Sequence, residues 1–471
     1  MRKALALTLL LLAISVGGIC FAHISVNGMR DQVVLTENVL YGDKAVAEGL
    51  KVRLDTHYDY RLFWNTTSTI TPGADPRCDT KYTFSSRELR QDPPVIHSGV
   101  VMNSEVPHLD MYLNEEQTGI NVAYKELSDE TPLGEDNAKV IYLKDYYDYY
   151  PLTVSLDFPG TDLAWPGNFW TDITDPEPGT ETYVILAFRD FFKIPVIEDE
   201  QVEISVRKTA DGRATSYAMA STDSDSYRIR SESALTDDAC YFTFSTRTSH
   251  GDIVDTSLIP GGYGIYRLPY FDGRTESGRT SGAKVDDLSM VYPLDQAVEL
   301  LDLGVNPEMT RLLLHAVENR KYVLTVIDIA TMTAVQRIEV FDWPEVKGNW
   351  WVYEGDGFLT AVLSGYKLAV VTVSDGGHYD LRFTAEITDG EGPFHIWGGA
   401  SMDYDGGRLA VADFLTAKKG RYNCDFYLAV YDESGLLYYG EYTSSLSAGD
   451  GSDRNYDRCV PVDYEPIAVK W

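Results

Sequence analysis

The sequence predicts an all-β protein: a β-propeller-like repeat domain of six or seven blades, preceded by a short N-terminal β segment. Three stretches support this most directly, Tyr322–Asp328, Lys367–Asp375 and Tyr427–Asp432. Each is a short apolar run that ends in Asp and is followed by a turn and another strand-like run. Their apolar residues alternate with other residues, which is the pattern of a strand with one buried face. We interpret them as copies of one supersecondary unit.

The repeat extends towards the N-terminus through three more Asp-terminated runs, which end at Asp157, Asp211 and Asp272. Successive markers lie roughly 55 residues apart, near the upper end of propeller blade lengths. A blade of four short strands with its connections takes about 45–55 residues. Residues 92–471 are therefore expected to hold the six or seven blades. Tandem β-sandwich domains are the alternative, because they too show short strands and turns at regular spacing.

Residues 23–91 are expected to form a separate β-rich segment. Residues 50–56 alternate cleanly, and a second strand-like run at 62–69 follows a short polar break, as in a β-hairpin. The boundary is placed at residue 92, where Asp92 precedes two prolines that cannot continue a sheet ladder. Helix is expected to be scarce, and residues 294–303 are the best short candidate.

Residues 1–22 are expected to be a signal peptide or an N-terminal membrane anchor. Arg2 and Lys3 form a positive start, residues 4–22 are almost entirely apolar, and Cys20-Phe21-Ala22 is a tolerable cleavage site. As a helix, residues 4–22 would be about 28 Å long, so an uncleaved transmembrane helix fits equally well. The rest of the chain is predicted to be extracytoplasmic, either secreted or anchored to the cytoplasmic membrane by residues 4–22.

The formal net charge of −32 narrows the range of partners. The negative electrostatic field of such a chain repels phosphate backbones and anionic lipid surfaces, which disfavours nucleic acid as a partner. Contact with a membrane is therefore expected only through the N-terminal hydrophobic segment. The expected partner is an envelope protein or a glycan whose identity the sequence does not give.

The cysteines fit an exported chain. Without Cys20, four remain: Cys78, Cys240, Cys424 and Cys459. Four cysteines permit two disulfides with three connectivities. Cys424 with Cys459 is the favoured pair, because both lie near the C-terminus. None of the spacings is C-x-x-C, so a zinc site or a thioredoxin-like site finds no support.

Catalytic motifs are absent or generic, so no catalytic, cofactor-binding or metal-binding residue is assigned. Ser-x-x-Lys occurs at Ser281–Lys284 and at Ser364–Lys367, but the pattern is short enough to arise by chance. His315, within an apolar run, is expected to be a hydrogen-bonded interior residue. His395 is expected to be a loop residue, and a role in binding is the alternative.

Acidic and aromatic clusters are the remaining candidates. Residues 450–457 place oxygen ligands at alternate positions, as calcium requires, and Asp403–Asp405 is a shorter version. Solvated acidic turns are the expectation for both. Tyr and Trp residues suit binding platforms for sugar rings or peptides, although they are also ordinary strand residues. These aromatic candidates are Tyr146 to Tyr150, Trp165 with Trp170, and Trp350 with Trp351.

Together these observations favour an exported, cell-surface-tethered, non-enzymatic binding or scaffold protein of the bacterial envelope. Long loops on a rigid repeat scaffold would carry the recognition. Enzymatic activity is left open but is not favoured. The alternatives are a secreted glycan-active hydrolase or lyase that uses paired carboxylates, and an extracytoplasmic sensor domain.

Overall fold

The protein is represented by a computed structural model that describes most of the chain. The described residues are 2–30, 33–89, 97–103, 120–150, 153–159, 161–163, 181–221, 231–245, 253–271, 274–275, 278–279, 282–345, 348–415, 424–445 and 460–471.

Strands dominate the described residues. The α-helices are α1 (Arg2–Arg30), α2 (Ile120–Glu130) and α3 (Glu181–Phe191). The strands of the first half are β1 (Leu35–Gly42), β2 (Lys51–Tyr58), β3 (Leu62–Thr69), β4 (Arg77–Phe84), β5 (Gly99–Asn103), β6 (Asp136–Tyr142), β7 (Thr153–Phe158), β8 (Thr161–Leu163), β9 (Gln201–Lys208), β10 (Ala214–Ser221), β11 (Ser231–Leu235), β12 (Ala239–Phe244), β13 (Gly264–Pro269), β14 (Arg274–Thr275), β15 (Gly278–Arg279) and β16 (Ser289–Pro293). Those of the second half are β17 (Glu299–Val305), β18 (Arg311–Glu318), β19 (Lys321–Asp328), β20 (Thr333–Asp342), β21 (Trp350–Gly355), β22 (Phe358–Leu363), β23 (Lys367–Val373), β24 (Tyr379–Glu386), β25 (Ser401–Asp405), β26 (Arg408–Phe414), β27 (Phe426–Asp432), β28 (Gly435–Ser444), β29 (Val460–Pro461) and β30 (Ile467–Lys470).

The chain divides into two compact units. The first comprises Met1–Val95 with Glu345–Trp471, and the second comprises Ile96–Pro344. Each unit has its own hydrophobic core. The first unit holds two clusters, one around Val362 and Val411 and one around Leu54 and Leu428, whereas a single cluster runs through the second unit.

The first unit contains three antiparallel sheets in its described residues. One has the order β21-β22-β23-β24, and the next has the order β25-β26-β27-β28. Both are four-stranded meanders in which each strand pairs with the next one along the chain. The third sheet contains β2, β3 and β4 in the same sequential order. Successive four-stranded meanders are the building blocks of β-propellers, so the predicted all-β, propeller-like fold is confirmed.

The two ends of the chain complete sheets of the first unit. β1 pairs with β28 and adds a fifth strand to that sheet, with Leu35 opposite Ser444. At the other end, β30 pairs with β2, with Lys51 opposite Lys470. The strands between residues 35 and 84 therefore share sheets with strands from the C-terminal region. The domain boundary at residue 92 stays a prediction.

The second unit contains two further four-stranded sheets in its described residues, β11-β12-β13-β16 and β17-β18-β19-β20. It also holds two three-stranded sheets, β10-β9-β6 and β5-β7-β8, and the short ribbon β14-β15. Helices α2 and α3 belong to this unit, and neither was predicted from the sequence. Phe188 of α3 and the adjacent Phe192 bury their rings against Phe242 of β12, which explains why α3 is held here.

The three strands from which we predicted the repeat occupy equivalent positions in their sheets. Asp328 and Asp432 are the last residues of β19 and β27, and Asp375 follows β23 by two positions. Each of these strands is third in its meander. One detail of the prediction was wrong: these strands are buried on both faces, as residues 322–327 of β19 show. Asp272 lies outside the described residues.

The predicted helix at residues 294–303 is also wrong, because Glu299–Val305 forms strand β17 instead. Leu303 pairs with Leu314 of β18, and a register shift between Leu300 and Asp302 accommodates the strand. The local sequence has helix-compatible residues, but pairing with the buried strand β18 overrides that weak preference.

The N-terminal helix α1 keeps its large apolar side chains exposed, including Leu12, Ile19 and Phe21. In the described part of the chain, no helix is both long enough and apolar enough to span a membrane. Cys78 and Cys240 are free thiols. The favoured disulfide cannot be described, since Cys459 lies outside the described residues.

Candidate functional site

The connection from β24 to β25, which we call the 387–400 loop, is the best candidate for a binding surface in the described residues. Its first half is a tight turn. Asp389 Oδ1 accepts the backbone N–H groups of Glu391 and Gly392, each at 3.0 Å. Gly390 has φ of +95°, a conformation that a side chain would strain. Hydrogen bonds within the turn therefore stabilise its conformation, in addition to any packing against the sheets.

The second half of the loop is anchored to the sheets on which it lies. Ile396 is fully buried, and its carbonyl oxygen accepts a hydrogen bond of 3.2 Å from Trp351 Nε1. The ring of Phe394 packs edge-on against Tyr427 and Tyr439, with ring centroids 5.2 Å apart in both pairs. These contacts hold the loop against the sheets and make it a platform for the side chains that it exposes.

Three exposed side chains define what we call the aromatic face: His395 and Trp397 of this loop, and Tyr366 of the neighbouring β22–β23 turn. Trp397 is 43% exposed, and His395 is exposed with its ring centroid 5.7 Å from that of Trp397. Tyr366, in the β22–β23 turn, accepts the Ile387 N–H at 2.9 Å through its carbonyl oxygen. The turn residue Gly365 has φ of +81°, and a Cβ there would lie 3.0 Å from the His395 ring. Glycine therefore lets the two loops meet.

Ser364 and His395 were separate candidates in the sequence, and the structure brings them together. Ser364 Oγ lies 3.3 Å from His395 Nδ1. Ser364 is only 1% exposed, so a substrate could not reach its hydroxyl group. The contact orients the His395 ring and does not form a nucleophile–base pair open to substrate. The other Ser-x-x-Lys match begins at Ser281, outside the described residues.

Asp413, which the sequence analysis did not single out, lies beneath the aromatic face at the end of β26. Its Oδ1 accepts the Phe414 N–H at 2.7 Å, and the backbone N–H groups of Phe414 and Trp397 both act to lower its pKa. Burial raises the pKa of Asp413 to about 7. An Asp within the apolar run Leu409–Phe414 is the only signal in the sequence that pointed to it.

Tyr427 stands directly opposite Asp413 on β27. Its hydroxyl group is buried and has no hydrogen-bond partner among the described residues. Burial, together with the nearby Asp413 carboxylate, raises the pKa of this phenol well above its usual range. Two buried polar groups therefore lie side by side in the sheet below the loop.

The acidic candidates have other roles or lie outside the described residues. Asp403 Oδ2 accepts the Trp471 N–H at 2.7 Å, so this carboxylate fastens the C-terminal residue. Asp405 is exposed where the β25–β26 hairpin turns through Gly406 and Gly407. Residues 450–457 lie outside the described residues. Among those that are described, no group of three or more His, Cys, Asp or Glu side chains is arranged to hold a metal ion.

His315 and the tyrosine cluster Tyr146 to Tyr150 have structural roles in the second unit. His315 is buried with its Nδ1 2.8 Å from Tyr322 Oη, and burial lowers its pKa to about 4. The expectation of an interior histidine is confirmed. Within the tyrosine cluster, the Tyr147 hydroxyl oxygen accepts the Ile120 N–H at 3.1 Å, and the buried Tyr150 donates to Glu200. These two tyrosines stabilise the second unit. Trp165 and Trp170 lie outside the described residues.

Comparisons with known proteins give no family for this chain: no protein-family model matches it, and no curated protein sequence does. Among solved structures, a provisionally assigned 6-phosphogluconolactonase of Bacteroides fragilis aligns over 89% of this chain and 97% of its own, with 10% identity and a TM-score of 0.29. The periplasmic gluconolactonase of Pseudomonas aeruginosa aligns over 54% of this chain and 67% of its own, with 13% identity and a TM-score of 0.25. The β-propeller domain of Cps50 (Swd1) from Myceliophteria thermophila aligns over 51% and 82%, with 8% identity and a TM-score of 0.23. Similarity at this level carries no information about activity.

Proposed function

We propose that this chain is an exported, cell-surface-tethered, non-enzymatic binding or scaffold protein of the bacterial envelope, and that the aromatic face is its recognition site. The supporting observation is the exposed Trp397 on a loop that is held from below by Trp351. An exposed indole on an ordered loop contacts a ligand at little cost in conformational entropy. An envelope glycan or an envelope protein is the proposed partner.

Export is supported by the sequence of residues 1–22, with its basic start and its apolar core. The net charge of −32 supports a partner other than nucleic acid and confines membrane contact to the N-terminal segment. N-terminal sequencing of the exported protein separates the two forms. A start at His23 means a secreted protein, and an intact N-terminus means an anchored one, as a sensor domain would also require.

Replacement of Trp397 by Ala tests the recognition site. Binding to a panel of envelope glycans and peptidoglycan fragments is measured by calorimetry for the wild type and for Trp397→Ala. Affinity is expected to fall about 30-fold, because buried tryptophans at interfaces contribute about 2 kcal/mol or more. Phe84→Ala, which removes another exposed aromatic side chain of the first unit, is the matched control and should bind normally. Equal loss in both variants, or none in Trp397→Ala, contradicts the assignment.

The alternative is a secreted glycan-active hydrolase or lyase, and one observation favours it: Asp413 has a pKa near 7, as a general acid requires. Its 8% exposure argues against direct contact with substrate. The same panel decides between the two functions. If the wild type shortens a polymer and Asp413→Asn does not, the protein is an enzyme. Binding without product supports the binding protein.

A further inference from the structure

Two neighbouring rings of the aromatic face can contact one ligand together. In the 387–400 loop, Phe394 is half-buried and Ile396 is buried, whereas His395 and Trp397 are exposed. The rings of His395 and Trp397 have centroids 5.7 Å apart and planes inclined by 35°. A ligand that lies on the Trp397 indole is therefore within reach of the His395 ring.

The residues that follow Trp397 leave its indole uncovered. Gly398 and Gly399 are exposed, and a Cβ at either position would meet nothing within 4 Å. These positions therefore add no side chain that could cover the ring. An accessible indole offers a flat apolar surface on which the C–H groups of a sugar ring can pack.

The hydrogen bond between Ser364 and His395 determines which ring nitrogen of His395 carries the proton. Ser364 is buried, and His395 Nδ1, at 3.3 Å, is the only hydrogen-bond partner of its Oγ among the described residues. If this hydroxyl group accepted from Nδ1–H, its own O–H would be buried without an acceptor, which is unfavourable. Ser364 therefore donates to Nδ1, and the proton of the neutral ring lies on Nε2.

The Nε2–H group is the donor that His395 offers to a ligand. His395 is exposed, and its Nε2 has no hydrogen-bond partner in the part of the chain that the structure describes. An N–H donor requires an acceptor, which a hydroxyl or carbonyl oxygen provides and an ammonium group does not. The ring therefore favours an oxygen-rich ligand over a cationic one.

The charged groups of the loop disfavour an anionic ligand. Besides the histidine, the titratable side chains of the 387–400 loop are the carboxyl groups of Asp389 and Glu391. Lys367, at the start of β23, stands opposite Glu386 of β24, and this pairing offsets its charge. The whole chain carries a formal net charge of −32. Polymers that carry phosphate or carboxylate groups are therefore repelled.

We propose that the aromatic face binds a neutral pyranose unit of a glycan, and that Ser364 is the positioning residue that fixes the tautomer of His395. The sugar ring packs on the Trp397 indole, and the His395 Nε2–H donates to one of the sugar oxygen atoms. The ligand class rests on the proposed function, whereas the role of Ser364 does not.

The ligand class is tested with tetrasaccharides that differ in charge. The neutral probes are cellotetraose, mannotetraose and fully N-acetylated chitotetraose, the cationic probe is deacetylated chitotetraose, and the anionic probe is tetragalacturonate. Each is titrated into the full chain labelled with ¹⁵N-tryptophan, and the Trp397 indole N–H signal is assigned from its disappearance in Trp397→Phe. A neutral probe is expected to shift this signal and to bind about tenfold more tightly than either charged probe.

The donor is tested by His395→Phe, which keeps an aromatic ring but has no N–H. Its affinity for the neutral probe is expected to fall about fivefold, the usual effect of one lost hydrogen bond. His378→Phe, at another exposed histidine of the first unit, is the matched control and should bind as tightly as the wild type.

The role of Ser364 is tested in the ligand-free chain labelled with ¹⁵N-histidine, at a pH well above 7. The ring signals of His395 are assigned from their disappearance in His395→Phe, and the spectrum should show a proton on Nε2 and none on Nδ1. Ser364→Ala should move the Nδ1 signal towards that of a free imidazole ring and weaken binding of the neutral probe about threefold. Ser434→Ala, at an exposed serine of the same unit, should change neither.

Each part of the proposal has its own contrary result. A proton on Nδ1 in the wild type, or His395 signals that do not change in Ser364→Ala, would overturn the role of Ser364. If a charged tetrasaccharide or an envelope protein binds through Trp397 and no neutral probe does, the ligand class is wrong and the proposed recognition site stands. If no ligand of any kind depends on Trp397, the proposed function fails and the ligand class fails with it.

Discussion

At the scale of single residues, burial decides what each polar side chain can do. Asp413 lies in β26 beneath the loop that carries His395. Asp413 is buried and its pKa is raised, whereas His395 is exposed. His315, in contrast, is enclosed with Tyr322 in the second unit and stays neutral near pH 7. Sequence reasoning identified His315 as interior because its neighbours are apolar. It missed Asp413 because acidic residues are common in this chain and burial cannot be seen in the sequence.

His57 gives a prediction about stability at this scale. Its Nδ1 accepts the Tyr60 N–H at 3.1 Å, and its ring stacks on that of Tyr60 at 4.0 Å. Burial lowers the pKa of His57, so the unfolded chain binds more protons than the folded one below the unfolded value of about 6.5. The contribution of His57 is complete above that pH and is lost as the pH falls towards the folded pKa.

The free energy of unfolding, measured in urea between pH 7.5 and pH 5, should therefore fall less steeply in His57→Asn than in the wild type. Asn keeps an acceptor for the Tyr60 N–H but does not titrate. His378→Asn, which alters an exposed histidine, is the control and should keep the wild-type slope. Identical slopes for the wild type and His57→Asn would show that His57 does not cause the acid dependence.

At the scale of secondary-structure elements, one buried carboxylate reinforces the backbone pairing of β1 with β28. Glu37 accepts hydrogen bonds from Tyr438 and from Tyr442, the latter at 3.2 Å. Lys44 forms an ion pair with the same carboxylate, and the side chains of both partners are at most 10% exposed. Four polar groups thus satisfy one another where the N-terminal strand meets the sheet.

Removal of Glu37 should therefore be costly. Glu37→Ala removes the acceptor that Lys44, Tyr438 and Tyr442 share. Lys44 still donates to the Ala74 carbonyl oxygen at 2.7 Å, and the two hydroxyl groups still lie 2.6 Å apart. The expected cost is therefore about 3 kcal/mol of unfolding free energy, the lower end for a broken buried pair. Glu48→Ala, at an exposed position nearby, should change stability by less than about 0.5 kcal/mol. Urea unfolding followed by circular dichroism measures both. Similar values for the two variants would mean that β1 adds little to the stability of the sheet.

The secondary-structure elements also show which parts of the fold could be predicted from the sequence. The strands ending at Asp328 and Asp432 were predicted because alternation and a terminal turn are local signals. Helix α3 was missed because its preference for helix is expressed through packing on Phe242, a residue distant in sequence. The helix predicted at residues 294–303 failed for the related reason that pairing with β18 outweighs local propensity. Local patterns therefore predicted the repeat but not the exceptions to it.

At the scale of the whole molecule, pairing between distant parts of the chain defines the first unit. The partnership of β1 with β28 and of β30 with β2 joins residues about four hundred positions apart, and nothing in a single sequence signals such a register. The candidate site depends on the same kind of contact, since Trp351, His395 and Asp413 come from three separate stretches. The sequence singled out the first two residues individually, and only the fold shows that Trp351 supports the loop that carries His395.

The central claim is that the 387–400 loop of the first unit is the surface that recognises a ligand. Hydrogen–deuterium exchange of the full chain, with and without the tightest-binding glycan or envelope protein found, tests it most directly. Slower exchange confined to residues 387–400 and the Gly365–Tyr366 turn is the expected result. Protection elsewhere, with exchange in this loop unchanged, would contradict the claim.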